Sequence, residues 1–335
     1  MRILLCSYWF HPSFGGVESI SKILAEEWTS AGHQVTVVTE TAGESMNAPY
    51  TVVRQPSFMQ LRRLGDGVDI IVQNIIGLRT LGILLLCRKP IVVIHNSWLR
   101  RNDGKRGWQE HLKLLFTRTV TNVAISRPIA ESLPVPSQII GNPFATEEFR
   151  GLRDRPRSKE LVYMGRLVSD KGVDTLLEAM GQLRVRKVTP TLTIIGDGPE
   201  MPKLQGMVRQ LSLTDQVTFT GALREGRGSV VARHKVLVVP SRWAEPFGIV
   251  ALEGIASGCA IVASEQGGLP EAAGPCGFLF PNGDISALAR ALERVLGEET
   301  LQARLIAAGP DHLKQFEAVR VARRYLDLFE RLLKR

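Results

Sequence analysis

Short, wholly apolar runs alternate along this chain with stretches whose apolar residues recur every third or fourth position. Residues 2–7 are apolar from Ile3 to Cys6, the mark of a strand buried on both faces. Gly15-Gly16 follows, and then Val17, Ile20, Ile23, Leu24 and Trp28, a spacing that predicts a helix over 17–31 stopped at Gly32. The next run, 34–39, predicts a second strand and completes a βαβ opening whose first loop lies at the carboxyl end of strand one. Further strands are predicted at 51–54, 69–73, 90–95 and 122–125, with a helix over 109–118 between the last two. Residues 151–158, rich in Arg with a single Pro, read as a linker, after which the alternation resumes. Its strands fall at 160–164, 191–195, 216–220, 236–239 and 260–263, and its helices at 174–186, 201–211 and 249–257. A closing helix over 319–333 carries Val321, Tyr325, Leu328, Phe329 and Leu332 on one side. This order predicts an α/β protein of two doubly wound halves, alike in rhythm but sharing no short repeat.

Length sharpens that picture, because 335 residues exceed what one core usually holds. The expected domains are 1–157 and 158–317, with 318–335 as a separate closing helix. Cys6, Cys87, Cys259 and Cys276 are far apart and form no CxxC pair, which predicts buried free thiols and a cytosolic setting. No paired-His, HExxH or clustered-carboxylate pattern points to a catalytic metal, and none is expected. The first ten residues lack a small-residue cleavage site, and the apolar stretch 81–87 is too short to span a bilayer. The reading is of a soluble or peripheral protein. The formal charge of +9 is concentrated between Thr51 and Ala130, where thirteen Lys/Arg face four Asp/Glu. Arg62, Arg63, Arg100, Arg101, Lys105 and Arg106 carry much of it. Such a field suits phospholipid headgroups or a pyrophosphate-linked lipid, or is simply a solvated basic face. Interleaved aromatics and a recognisable nucleic-acid module are missing, so nucleic acid is not an expected partner.

Candidate chemistry gathers where predicted strands end. The strand 236–239 runs into Pro240, and Glu245-Pro246-Phe247-Gly248 opens a helix that begins near Ile249 and contains Glu253. On a helix, Glu253 lies one to two turns in, below Glu245. From spacing alone the two carboxylates are either contacts for a long hydroxyl-rich anionic ligand or ordinary surface charge. Gly165-Arg166 and Lys171-Gly172 flank a loop that offers cations and open backbone ahead of a helix, the chemistry of a diphosphate clamp. Gly196-Asp197-Gly198-Pro199 and Gly267-Gly268 repeat the glycine turn after neighbouring strands, where open α/β sheets bind ligands. Gly15-Gly16 is no GxGxxG fingerprint, so a dinucleotide site is weakly supported. His95 ends a strand in the first half and is either a rim donor or a packed histidine.

Taken together, Gly15-Gly16, His95, Asn142-Pro143, Gly165-Arg166-Leu167, Asp170-Lys171-Gly172, the Gly196 turn, Gly221, Glu245 to Glu253, Gly267-Gly268 and Pro270-Glu271 resemble a known family over nearly the whole chain. It is family 4 of the retaining glycosyltransferases, the glycosyl transferases group 1, of GT-B fold. The resemblance implies two Rossmann-like doubly wound domains facing a central cleft, with the closing helix crossing back to the first domain. It implies a nucleoside-diphosphate sugar as co-substrate and no cofactor. In that reading Arg166 and Lys171 hold the diphosphate, Glu253 accepts from the ribose hydroxyls, and Glu245 binds the donor sugar. Backbone at Pro246, Phe247, Gly248 and Ile249 lies beside it, Gly165 belongs to the diphosphate clamp, Gly196 borders the base or ribose, Gly16 approaches the phosphate or the acceptor, and His95 approaches the donor sugar. The implied activity is metal-independent, retaining hexosyl transfer to a glycan or lipid-linked saccharide in cell-surface polysaccharide or glycolipid synthesis. The implied setting is cytoplasmic, at the inner face of the membrane. The alternatives are a non-catalytic nucleotide-sugar-binding subunit, or an epimerase or phosphorylase on the same plan. Asn142-Pro143-Phe144-Ala145 departs from the family in lacking the glycine that usually follows this turn.

Overall fold

The computed structural model describes residues 1–12, 15–44, 47–100, 107–223 and 225–334. Its contacts divide it into two units, one of Met1–Phe144 with Phe316–Arg335, the other of Ala145–Gln315. The first unit runs β1 (Arg2–Ser7), α1 (Gly16–Ser30), β2 (Gln34–Thr39), β3 (Thr51–Arg54), α2 (Phe58–Asp66), β4 (Ile70–Asn74) and α3 (Leu78–Leu84). It continues through β5 (Ile91–His95), α4 (Trp108–Phe116), β6 (Thr121–Ala124), α5 (Arg127–Ser132) and β7 (Gln138–Ile139). Its sheet is parallel throughout, in the order β3-β2-β1-β4-β5-β6-β7. β4 and β5 are buried at every position, as expected of strands covered by helices on both faces.

The second unit begins with α6 (Thr146–Phe149), β8 (Lys159–Met164), α7 (Val173–Val185), β9 (Leu192–Ile195), α8 (Met201–Gln210) and β10 (Val217–Gly221). Then come α9 (Arg227–Val231), β11 (His234–Val239), α10 (Ile249–Ala256), β12 (Ala260–Ser264), α11 (Leu269–Ala273) and β13 (Gly277–Phe280). α12 (Ile285–Gly297), α13 (Glu299–Ala307) and α14 (Gly309–Leu313) complete it. Its parallel sheet runs β10-β9-β8-β11-β12-β13 around its own core of Leu161, Leu176, Met180, Ile194, Val236 and Leu292. The chain works outward from β8 to β10 and then returns to the other side of β8 at β11. The carboxyl ends of β8 and β11 therefore mark a switch point, where open α/β sheets leave a crevice.

The last helix, α15 (Ala318–Leu333), belongs to the first unit. It lies on α1, where Tyr325 and Phe329 stand edge-on to Trp28 at ring separations of 5.9 and 5.3 Å. The boundary between the units differs from the expected one. It falls after Phe144 rather than after 157, because 145–157 is packed, not loose. Phe149 and Leu152 are buried, and the Arg153 guanidinium donates to the Ile306 carbonyl. An Arg-rich composition looks like a linker even where its two apolar residues anchor it.

Candidate functional site

Loops leaving β8 and β11 are pinned to each other at the switch point. The Asp170 carbonyl accepts from the backbone N–H of Arg242 at 2.9 Å and of Trp243 at 3.3 Å. Gly172 makes that approach possible: its φ is +68°, and a Cβ there would run into the Pro240 carbonyl oxygen. The result places Lys171 Nζ 2.5 Å from Glu245 Oε1, and the Ser241 hydroxyl donates to the same oxygen at 2.7 Å. Glu245 is held from behind as well, since its carbonyl accepts from Gly268 N–H at 2.7 Å and it bridges to Gly267. Asn282 donates to the Ser241 carbonyl at 3.0 Å and accepts from Gln266 N–H at 3.1 Å, tying the loop after β13 to that after β11.

The glycine turns after β8, β9 and β10 form a second seam. Gly165 N–H donates to Ile195, Leu167 N–H to Asp197, and Gly196 N–H to Gly221, at 2.8–3.0 Å. Gly165 and Gly196 thus meet, as the sequence suggests. Arg166 stands exposed beside them, and its carbonyl accepts from the Tyr163 hydroxyl at 2.9 Å. Among the described residues its guanidinium has no ion-pair partner. Arg242, which the sequence reading overlooked, is spent structurally: it pairs with Asp174 through its guanidinium and donates to Thr175 Oγ1 at 3.1 Å. Burial pushes the Asp174 carboxyl up, and Arg242's hydrogen bond and charge more than reverse that, leaving it below the usual carboxylate range.

After Glu245 the chain turns through Pro246 and the buried Phe247 to Gly248, which precedes Ile249 as the first residue of α10. Glu253 lies one turn inside α10 with 7% of its surface exposed. It does not join Lys171. Its Oε1 is 3.0 Å from Arg227 Nη2, and Arg227 grips Glu148 with two bonds of 2.8 Å. Burial pushes the Glu253 carboxyl up to about 7; Arg227 pulls it down and Glu148 pushes it up further. Neither Glu148 nor Arg227 carried a sequence signal, because each sits on a short helix far away in the chain.

In the first unit, Gly16 is the first residue of α1. His95 ends β5, buried, with Nε2 2.9 Å from Asn122 Oδ1 and Nδ1 without a partner among the described residues. Burial lowers its pKa, so the ring is neutral near pH 7. Beside it a buried chain of polar side chains links Ser7, Ser21, Asn74, Asn96 and Asn142 along the strand ends. Of the basic residues, Arg62 is paired with Asp66 at 2.9 Å, Arg63 is exposed, and Arg100 lies 4.6 Å over the Trp98 ring. Arg101, Lys105 and Arg106 lie outside the described residues. Exposed Phe58 and Met59 on α2 and Trp108 and Leu115 on α4 belong to the same unit. Among the described residues no helix is long and apolar enough to cross a membrane, and no group of three His, Cys, Asp or Glu is placed to hold a metal ion.

Residues 145–312 match the profile of the family described as glycosyl transferases, group 1. Over 158 residues, 46% of this chain and 40% of the other, the sequence is 34% identical to an alpha-D-kanosaminyltransferase of Streptomyces kanamyceticus. It is 27% identical to a phosphatidyl-myo-inositol mannosyltransferase of Mycobacterium leprae (strain TN), covering 98% of this chain and 96% of that one. The chain spans only 20–40% of the length of several curated relatives that it matches. Among solved structures, Anabaena HepE in complex with UDP and glucose superposes with a TM-score of 0.81 at 19% identity, covering 98% of this chain and 99% of HepE. Two parallel α/β units of this kind are the GT-B architecture expected from the sequence.

Proposed function

Because the chain belongs to the glycosyl transferases, group 1, we propose that it moves a hexose from a nucleoside-diphosphate sugar to a glycan or lipid-linked saccharide, with retention and without a metal. The observation that carries this reading is the Lys171–Glu245–Ser241 cluster at the switch point, walled by glycine turns. An ammonium has three donors. One of Lys171's is on Glu245, leaving others for diphosphate oxygens, and the exposed Arg166 guanidinium supplies a second cation. As the bond from the anomeric carbon to the β-phosphate oxygen breaks, negative charge grows on that oxygen, and fixed cations stabilise it there. The acceptor hydroxyl oxygen bonds to the anomeric carbon on the same face and its proton passes to the departing phosphate. Glu245 binds donor-sugar hydroxyls, Glu253 the ribose hydroxyls, and neutral His95 the sugar. Two carboxylates acting as a glycosidase pair would have to flank one bond. Glu253, engaged by Arg227 inside α10, is not placed for that role.

The basic first unit and the similarity to a mannosyltransferase named for phosphatidyl-myo-inositol support a lipid-linked acceptor and a cytoplasmic, membrane-peripheral setting. The test is a thermal-shift screen of nucleotide sugars followed by product analysis, since a bound donor raises stability by mass action. A stabilising donor whose hexose reaches an acceptor with retained configuration is the expected result. Binding without transfer would make the protein a non-catalytic subunit. Conversion of donor alone, or only with phosphate, would make it an epimerase or phosphorylase. For the membrane, reversing the charges of Arg62, Arg63, Arg100, Arg101, Lys105 and Arg106 should abolish sedimentation with anionic vesicles. Unchanged sedimentation would sink that part.

A further inference from the structure

Glu148, Arg227 and Glu253 come from three short helices, α6, α9 and α10, and form a group of two carboxylates and one guanidinium in which Glu253 is buried and the other two are half-buried. Arg227 cannot swing freely. Both of its bonds to Glu148 are 2.8 Å, a fork that fixes the guanidinium plane, and its charge lies 5.8 Å over the Phe149 ring. The neighbouring glycine permits this: a Cβ on Gly228 would press on Leu152, Phe149 and the Glu148 carbonyl, so only glycine lets α9 lie this close to α6. The fixed guanidinium then meets Oε1 of Glu253, whose other oxygen has no hydrogen-bond partner among the described residues.

We infer that Arg227 is a positioning residue for the donor, holding Glu253 ionised and oriented through Oε1 so that Oε2 is presented to the ribose hydroxyls. The inference rests on the assignment of Glu253 to the ribose under the proposed function. A lone carboxylate buried this deeply would take up a proton and lose most of its strength as an acceptor. Arg227 opposes that protonation and Glu148 favours it, so the two set its ionisation from opposite sides. They are the charged groups that act on it among the described residues. Of the titratable groups on the elements packed against α10, His234 of β11 is bonded to Val230 and Thr193, and His312 of α14 to Ala272. Lys235 of β11, Glu271 of α11 and Asp311 of α14 do not contribute to the Glu253 shift.

The experiment is calorimetric titration of the full chain with UDP and GDP and with their 2′,3′-dideoxy analogues between pH 5 and 9. The diphosphate is common to each pair, so the ratio of affinities isolates the ribose contacts from phosphate titration. The wild type is expected to prefer the ribose form by roughly tenfold at pH 8 and to lose the preference toward pH 5. Arg227→Gln should move the midpoint of that loss to higher pH, Glu148→Gln to lower pH, and Arg227→Lys should restore part of the wild-type behaviour. Opposite shifts separate positioning from general destabilisation, which would move both variants alike. Any other pattern from Arg227→Gln and Glu148→Gln overturns the role of Arg227. A wild type indifferent to the ribose hydroxyls overturns the ribose assignment itself, and the inference with it.

Discussion

Glu253, proposed above to hold the ribose, illustrates how ligand binding and folding can favour different states of one side chain. Its carboxyl, near 4.5 in an unfolded chain, is pushed up to about 7 by burial, with Arg227 opposing and Glu148 adding to the rise. A group raised in this way adds stability that is complete below the unfolded value and is lost as pH climbs through the folded one. The window is therefore pH 4.5 to about 7, and ionised Glu253 costs the fold about 3 kcal/mol at pH 8. Glu253→Gln, neutral at every pH, should melt above the wild type at pH 8, with the gap closing toward pH 5. Melts that show the gap widening in acid would refute this. The same variant should raise the donor KM by roughly tenfold while leaving kcat nearly unchanged, because it weakens ground-state and transition-state binding alike. Glu245→Gln loosens Lys171 and, on the role proposed for it, removes a contact to the donor sugar, so it should cost kcat about a hundredfold. Steady-state kinetics on both variants checks the division, and equal mild effects would undo it.

At the scale of elements, the site depends on how closely the loops after β8 and β11 approach. Gly172→Ala would put a methyl group into the Pro240 carbonyl at a φ that alanine disfavours, so the loop must back away and carry Lys171 from Glu245. A destabilisation of about 1–3 kcal/mol is expected, together with loss of activity out of proportion to it. Urea melts and kinetics on one preparation test this, and full activity with an intact fold would show that the loops tolerate separation. These same elements show what sequence can carry. Buried parallel strands announce themselves because most of their residues are apolar, and glycine turns after them mark a crevice by position alone. Lys171, Glu245, Gly165 and Gly196 were legible for that reason. β13 and α12 to α14 passed unread, the first with only Phe280 of its four residues buried. Arg227 and Glu148 were invisible for a different cause: they are 79 residues apart, and nothing in either short helix foretells that the other will meet it. Ser241 and Asn282 are likewise ordinary turn residues until the sheet order brings their loops together.

The two units differ in how they are made from the chain, and that difference is testable. The second is one continuous segment with its own sheet and core, whereas the first needs 316–335 to complete it. Trp28 is fully buried, packs on Tyr325 and Phe329, and donates to the Ala322 carbonyl at 3.3 Å. Removing α15 exposes all of that surface, a loss comparable with truncating a core aromatic, about 3–5 kcal/mol or more. A fragment of residues 1–144 should therefore lack a cooperative melt, and adding a 316–335 peptide should restore part of one. The fragment 145–315 should behave oppositely. It contains Arg166, Lys171, Glu245, Glu253 and the Arg227–Glu148 clasp, so of the groups assigned to the nucleoside diphosphate only Gly16 is missing. It lacks His95 and the basic region of the first unit. The fragment is expected to unfold cooperatively, to bind UDP or GDP within about tenfold of the intact chain, and to transfer no hexose. Calorimetry and a product assay on both proteins decide it. A folded fragment that binds neither nucleotide would mean that the second unit does not hold the donor by itself.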